Sequence, residues 1–353
     1  MKVEKKEIKE STEELTEKIE VGGVTVKEKE LPNTTLELAE KSKLEVWFGY
    51  NFTPEGANFE AMKNTCLAAE KAGIDLFTVS DHFMNAINPK IEENNPLECW
   101  TLLGALAAVT KKIHLGPLVS CYAYRAPTLL GKIATTLDII SKGRLVMGLG
   151  ACWREAEFKT FYGRFPPTKE RLQGFDDTLA IVKSMFQNEY TTYKGKIFSV
   201  ENVLNSPRPI QEHVSIIAGV FQNKSIQIAT RYADIIHCIF DPTPEKVANY
   251  KLKIKEGCQK TGRNPKEIRI GATYSIWLDP TEQEIKQRVA ALQLANIPEE
   301  KAKQIIADIP STPDAHIEAI RELIKSGVKV FTLMGTLPKL VTFAEKVVSK
   351  LKY

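Results

Sequence analysis

From residue 44 onward, short apolar runs rich in β-forming residues alternate with longer stretches whose apolar positions recur every three or four residues. LEVWFGYN (44–51) precedes ANFEAMKNTCLAAEKAG (57–73), and IDLFTVS (74–80) precedes LECWTLLGALAAVTKK (97–112). IHLGPLVS (113–120) leads to APTLLGKIATTLDIISKG (126–143), and RLVMGLG (144–150) to PTKERLQGFDDTLAIVKSMF (167–186). In the second half, HVSIIAGV (213–220), DIIHCIF (234–240), EIRIGATYSIWL (267–278) and VKVFTLMG (328–335) are each followed by a helical pattern. Runs that are apolar without alternation predict strands buried on both faces, and parallel neighbours need helical crossovers. Eight strand–helix units predict an α/β fold, a closed (β/α)8 TIM barrel spanning 44–353, because closure removes the sheet edges an open arrangement would have to cover.

Two segments break the pattern. Residues 1–43 are dense in Lys and Glu with few large apolar side chains, so they bury little surface against the entropy of ordering. They are expected to form a charged N-terminal extension, with a short helix within 4–20 supported by Glu and Lys at i, i+4 spacing. After the fourth unit comes an insertion, QNEYTTYKGKIFSVENVLNSPRPIQE (187–212). Its Lys194-Gly195-Lys196 turn between β-prone runs predicts a hairpin packed near the barrel.

Composition narrows the partners. A net charge of +4 over 353 residues is too mild for a nucleic-acid footprint. There is no run of 18 apolar residues for a membrane span, and the first 20 residues are charged where a signal peptide needs an apolar stretch. A soluble, cytoplasmic protein is expected. The six cysteines show no C-x-x-C pair, so free thiols in a reducing compartment are the expectation.

In a barrel the chemistry gathers at the C-terminal ends of the strands. The second strand ends in Ser80-Asp81-His82, an acid and an imidazole at the mouth. Asp81 there can cap the following segment, and a lone histidine is often structural. Their company favours a site: GYNF, GPLVSCYAYR, GLGACWREAE and IAGVFQNKS place glycines, hydroxyls, amides and aromatics at the same strand ends.

The motifs AEKAGIDLFTVSDHF, LGALAAVTKKIHLGPLVSCYAYRAPTLLGKIATTLDIISKGRLVMGLGACWREAE, NSPRPIQ and ATRYADIIH together resemble the luciferase-like monooxygenase superfamily, in its branch that uses the deazaflavin coenzyme F420. The resemblance covers about 44–351 and is strongest before residue 240. It implies a barrel with an insertion, commonly a homodimer, that holds the cofactor ring at its mouth, and an oxidoreductase transferring a hydride to or from a small organic substrate. The same superfamily offers two alternatives, an FMN-dependent monooxygenase and a barrel that binds without catalysis.

By motif position, His82 resembles the family's proton donor or base and Asp81 an acid near the cofactor ring, a neighbouring carboxylate suited to tuning the imidazole. The resemblance places a non-proline cis peptide at Pro117–Leu118, with a cis Gly116–Pro117 bond or an ordinary trans strand as alternatives, and a cofactor-bonding hydroxyl at Ser120. Gly150 and Trp153 of GLGACW join the cofactor set, as do Gly219 and Val220 before a helix whose N-terminus attracts phosphate, where Lys224 is a candidate helper. The sugar-phosphate dehydrogenase members have a glutamate in place of Trp153 and a tryptophan in place of Ala86, which argues against their reaction. Glu155 and Glu157 are expected only to line a loop or helix start. No metal site is expected.

Overall fold

A computed structural model describes residues 46–52, 58–85, 95–294 and 296–352. The expected N-terminal extension (1–43), its helix and Ala86 lie outside the described residues.

Eleven strands are described: β1 (Trp47–Phe52), β2 (Leu76–Val79), β3 (His114–Pro117), β4 (Ser120–Cys121), β5 (Met147–Gly150), β6 (Tyr190–Lys194), β7 (Ser199–Leu204), β8 (Ile216–Gly219), β9 (Ile235–Phe240), β10 (Arg269–Ser275) and β11 (Val328–Met334). Nine of them form one parallel sheet in the order β3-β2-β1-β11-β10-β9-β8-β5-β4. Its two end strands, β3 and β4, are halves of one extended segment. β3 pairs with β2 (Leu76 opposite His114) and β4 with β5 (Ser120 opposite Leu149), so the sheet closes on itself. A bridge between Leu115 and Leu145 seals the lower half of that seam. The eight predicted strand positions therefore form the (β/α)8 barrel.

The break between β3 and β4 holds a cis peptide at Leu118–Val119, one residue beyond the expected Pro117–Leu118 bond. Here the backbone leaves the ladder and turns the Val119 side chain toward β5 and β8. Glycines on those strands make the room. A Cβ on Gly150 would lie 2.6 Å from Val119 Cγ2, and one on Gly219 2.8 Å from the same atom. On Gly148 it would lie 1.9 Å from the Pro117 carbonyl oxygen, closer than any real Cβ approaches. The glycines of GLG and AG thus house a bulge of the chain itself.

The helices around the sheet begin and end by local chemistry. α1 (Phe59–Lys71) starts at Asn58, whose side chain accepts from the Ala61 amide at 2.9 Å. After α2 (Cys99–Val109), α3 (Pro127–Ser141) opens on a proline and closes with Lys142 and Gly143, both at positive φ. The main core, including Phe48, Phe77, Leu103, Leu115 and Phe331, lies buried between strands and helices. A smaller cluster of Trp47, Leu76, Val146, Ile217, Ile235 and Val330 fills the barrel interior. Burying each such large side chain is worth about 1.5–3 kcal/mol.

The segment after β5 forms a short helix, α4 (Glu155–Tyr162), before the long α5 (Thr168–Gln187). The insertion is the expected hairpin: β6 and β7 pair antiparallel. Buried Asp177 on α5 anchors its turn, accepting from the Ile197 and Phe198 amides at 2.7 and 3.0 Å and from the Tyr193 hydroxyl at 3.2 Å. The outer layer continues with α6 (Asn223–Tyr232), α7 (Pro244–Thr261), α8 (Glu282–Leu294), α9 (Glu299–Ala307), α10 (Pro313–Ser326) and α11 (Leu337–Lys346). No described helix is long and apolar enough to cross a membrane.

Candidate active site

The C-terminal strand ends surround a cavity of about 360 Å³. Among the described residues its wall includes Asp81 and His82 after β2, Leu118 and Val119 of the bulge, Gly150–Arg154 after β5, Gly219–Gln222 after β8, and Phe240 of β9. Seven of the nine expected residues (Asp81, His82, Leu118, Gly150, Trp153, Gly219 and Val220) therefore border one space. Pro117 and Ser120 do not. Pro117 packs against β5, and Ser120 is fully buried behind Asp81. Lys224 is exposed and outside the wall, where Gln222 and Ser225 stand instead.

Two carboxylates lie at this mouth, and they have different partners. Asp81, 1% exposed, accepts from Arg125 at 2.6 and 3.1 Å and from the Ser120 hydroxyl, which in turn accepts from Trp100 Nε1 at 3.2 Å. Arg125 also bonds Glu98. Burial alone would weaken the guanidinium's hold on its proton, but the hydrogen bonds and charges of Asp81 and Glu98 outweigh it and raise its pKa. The Asp81 charge is spent on Arg125.

The carboxylate that orients His82 is Glu157, from the first turn of α4. His82 Nδ1 lies 2.8 Å from Glu157 Oε2. The Tyr124 hydroxyl donates to the same oxygen at 2.5 Å, while Oε1 accepts from the backbone N–H groups of Phe83 and Met84 at 2.6 and 2.9 Å. Arg154 adds its charge at 3.4 Å and donates to the Met84 carbonyl at 2.8 Å. Glu157 is only 2% exposed. That burial opposes ionisation, yet the bonds from His82 and Tyr124 prevail and hold the carboxyl at about 2. An ionised carboxylate only accepts, so Nδ1 carries a hydrogen and Nε2 is the ring nitrogen left for a ligand.

By sequence alone Glu157 is a helix-start residue without a role. The available signal was its position three residues after Arg154 in the first turn of the helix; the fold adds Tyr124 and the 82–84 backbone. Trp153, 71% exposed, meets the His82 ring edge-on at a centroid distance of 5.8 Å. Across the mouth, Phe221 and Phe240 stack at 5.5 Å. Cys121 and Cys152 also border the cavity and are joined in a disulfide, which corrects the expectation of six free thiols. The pair was missed because barrel closure, which sets β4 beside β5, brings together cysteines 31 residues apart. Among the described residues no cluster of three or more His, Cys, Asp or Glu side chains can hold a metal ion.

Residues 46–336 match the family model for the luciferase-like monooxygenases, and the chain belongs to that family. It is 29% identical to the pyrimidine monooxygenase RutA of Variovorax paradoxus (strain S110) over 59% of its own length, and this match spans 56% of that relative. Its fold resembles the coenzyme F420 dependent tetrahydromethanopterin reductase from Methanopyrus kandleri, with TM-score 0.71 and 20% identity over 87% of this chain and 100% of that one. It also resembles the EDTA monooxygenase EmoA from Chelativorans sp. BNC1, with TM-score 0.73 and 14% identity over 87% and 93% of the two chains. At these identities the solved structures speak for the fold alone.

Proposed function

We propose that this member of the luciferase-like monooxygenases uses coenzyme F420 to transfer a hydride to or from a small organic substrate, with His82 handling the accompanying proton. The observation that carries this reading is His82 itself, held through Nδ1 by an ionised, buried carboxylate and bordering the cavity beside Leu118 and Val119. A hydride leaves or joins carbon together with a proton at oxygen or nitrogen, and an imidazole nitrogen that can both give and accept a proton is suited to that exchange.

The residues fit such a cofactor. The cavity volume falls within the usual range of ligand sites, roughly 300–1,000 Å³. Leu118 and Val119 offer an apolar surface to a planar ring. Arg154 Nη2 is buried with no hydrogen-bond partner among the described residues, and Arg171 and Thr168 border the same wall, so an anionic tail has donors there. When bound, the deazaflavin supplies a two-electron carrier. The protein's own part is at His82: Nε2 gives or takes the proton, and Glu157 stabilises the imidazolium that forms when it takes one. Asp81, neutralised by Arg125, serves as a shaped part of the wall.

A second reading, an FMN-dependent monooxygenase, is favoured by the likeness to a relative named as a monooxygenase. Titration of the purified protein with F420 and with FMN in parallel separates the two. Tighter F420 binding is expected, and tight FMN binding without detectable F420 binding overturns the reading. With any substrate that supports turnover, His82→Ala is expected to keep cofactor affinity and lose about 10²- to 10⁴-fold in rate. Unchanged turnover removes His82 from the mechanism.

A further inference from the structure

The six cysteines fall into two chemical groups. Cys66, Cys99, Cys238 and Cys258 are buried free thiols. Burial raises the pKa of each, to about 12 for Cys66 and Cys238, which keeps them protonated and unreactive. Cys121, 7% exposed, and half-buried Cys152 are bonded to each other and border the cavity. Cys121 lies on β4 and Cys152 two residues past the end of β5, with their Cα atoms 4.8 Å apart.

The bond sits where it has consequences. Cys152 has φ 59°, in the left-handed region that side chains other than Asn, Asp and Gly seldom occupy. It opens the segment 152–157, which carries Trp153 against His82, Arg154 against the Met84 carbonyl, and Glu157 against His82 Nδ1. α4 starts without a side-chain cap at Arg154. The disulfide is therefore a covalent tie between the barrel strand and the turn that holds the site's histidine.

We propose that Cys121 and Cys152 form a thiol–disulfide exchange site in the cavity wall, reduced by a small dithiol, and that their oxidation state sets the order of residues 151–158. In the exchange a reductant thiolate attacks one cysteine sulfur. The Cys121–Cys152 bond breaks and a mixed disulfide forms. The second reductant thiolate then displaces the attached cysteine and closes a cyclic disulfide. Two electrons pass from the reductant sulfurs to the cysteine sulfurs, and the two thiol protons of the reductant end on Cys121 and Cys152. Reduction frees Cys152 from its tie and lets its backbone leave the left-handed region, which loosens Trp153 and the Glu157 clasp on His82.

The test takes the full chain through redox buffers of dithiothreitol and its cyclic disulfide. Thiols are counted by alkylation and mass, and amide hydrogen exchange is followed over 151–158. In the native oxidised protein no thiol is expected to react, and denaturation exposes the four buried ones. Native reduction is expected to add the two thiols of Cys121 and Cys152 and no others, and to speed exchange in 151–158 by about tenfold. The double variant Cys121→Ser/Cys152→Ser is expected to show the same faster exchange in either buffer. Cys121 and Cys152 remaining free in the oxidising buffer overturns the proposal, as does resistance to native reduction. Exchange in 151–158 that is unchanged by reduction makes the bond a static brace and also overturns it. These readouts need no cofactor, so they stand or fall apart from the reading of the site as an F420 oxidoreductase.

Discussion

Replacing Glu157 by Gln keeps the shape of the side chain and removes its charge, and the surrounding donors make the outcome specific. The new amide NH2 must face either the Phe83 and Met84 amides or His82 Nδ1 and the Tyr124 hydroxyl. Backbone amides cannot become acceptors, so the NH2 turns toward His82 and Tyr124. Tyr124 can rotate to accept; His82 can accept at Nδ1 only by moving its hydrogen to Nε2. The variant therefore presents the cavity with an N–H in place of a proton acceptor. The stability cost follows from the carboxyl pKa, which falls from 4.5 to about 2 on folding. At about 1.4 kcal/mol per pH unit this amounts to roughly 3 kcal/mol at neutral pH. The carboxyl pKa is depressed, so this stability is fully present above pH 4.5 and is lost as pH falls toward 2.

Urea denaturation of both proteins from pH 7 down to pH ~3.5 reads this directly. Wild type is expected to be more stable by about 2–3 kcal/mol at pH 7, allowing for neutral hydrogen bonds retained by Gln, with the gap narrowing once pH drops below 4.5. Nitrogen NMR of the His82 ring reports the tautomer. A gap under about 1 kcal/mol at pH 7, or one that does not narrow on acidification, would refute a buried ionised Glu157. An Nδ1–H tautomer in the variant would refute the hydrogen-bond argument.

Two other substitutions test how the site is built. Gly150→Ala sets a methyl 2.6 Å from Val119 and is expected to cost about 1–3 kcal/mol of stability, with most of the loss recovered in Gly150→Ala/Val119→Ala; a purely additive double variant would separate Gly150 from the bulge. Arg125→Met leaves Asp81 buried without its counter-charge and is expected to cost about 3–5 kcal/mol by chemical denaturation, whereas adding Asp81→Asn restores part of it; an Arg125→Met protein of wild-type stability would show that Asp81 does not depend on the pair.

Local periodicity determined the eight strands, the helices between them and the hairpin of the insertion, because apolar spacing, helix-ending glycines and turn residues act within a few positions of each other. It also put Asp81, His82, Leu118, Gly150, Trp153, Gly219 and Val220 at the strand ends that border the cavity, since the C-terminal end of a barrel strand is a position in the sequence as much as in space. What it did not contain was pairing across the fold. Asp81 and His82 are adjacent, yet the barrel directs one to Arg125 and the other to Glu157, 75 residues away. Cys121 meets Cys152 only because the closing seam sets β4 beside β5. The glycines of GLG and AG carried a general message of close approach; that they approach Val119 depends on where the backbone bulges, one residue past the expected position. A hydrogen-bond partner or a bulge neighbour is chosen by distance and angle in the closed barrel, and neither is encoded in the spacing of residues along the chain.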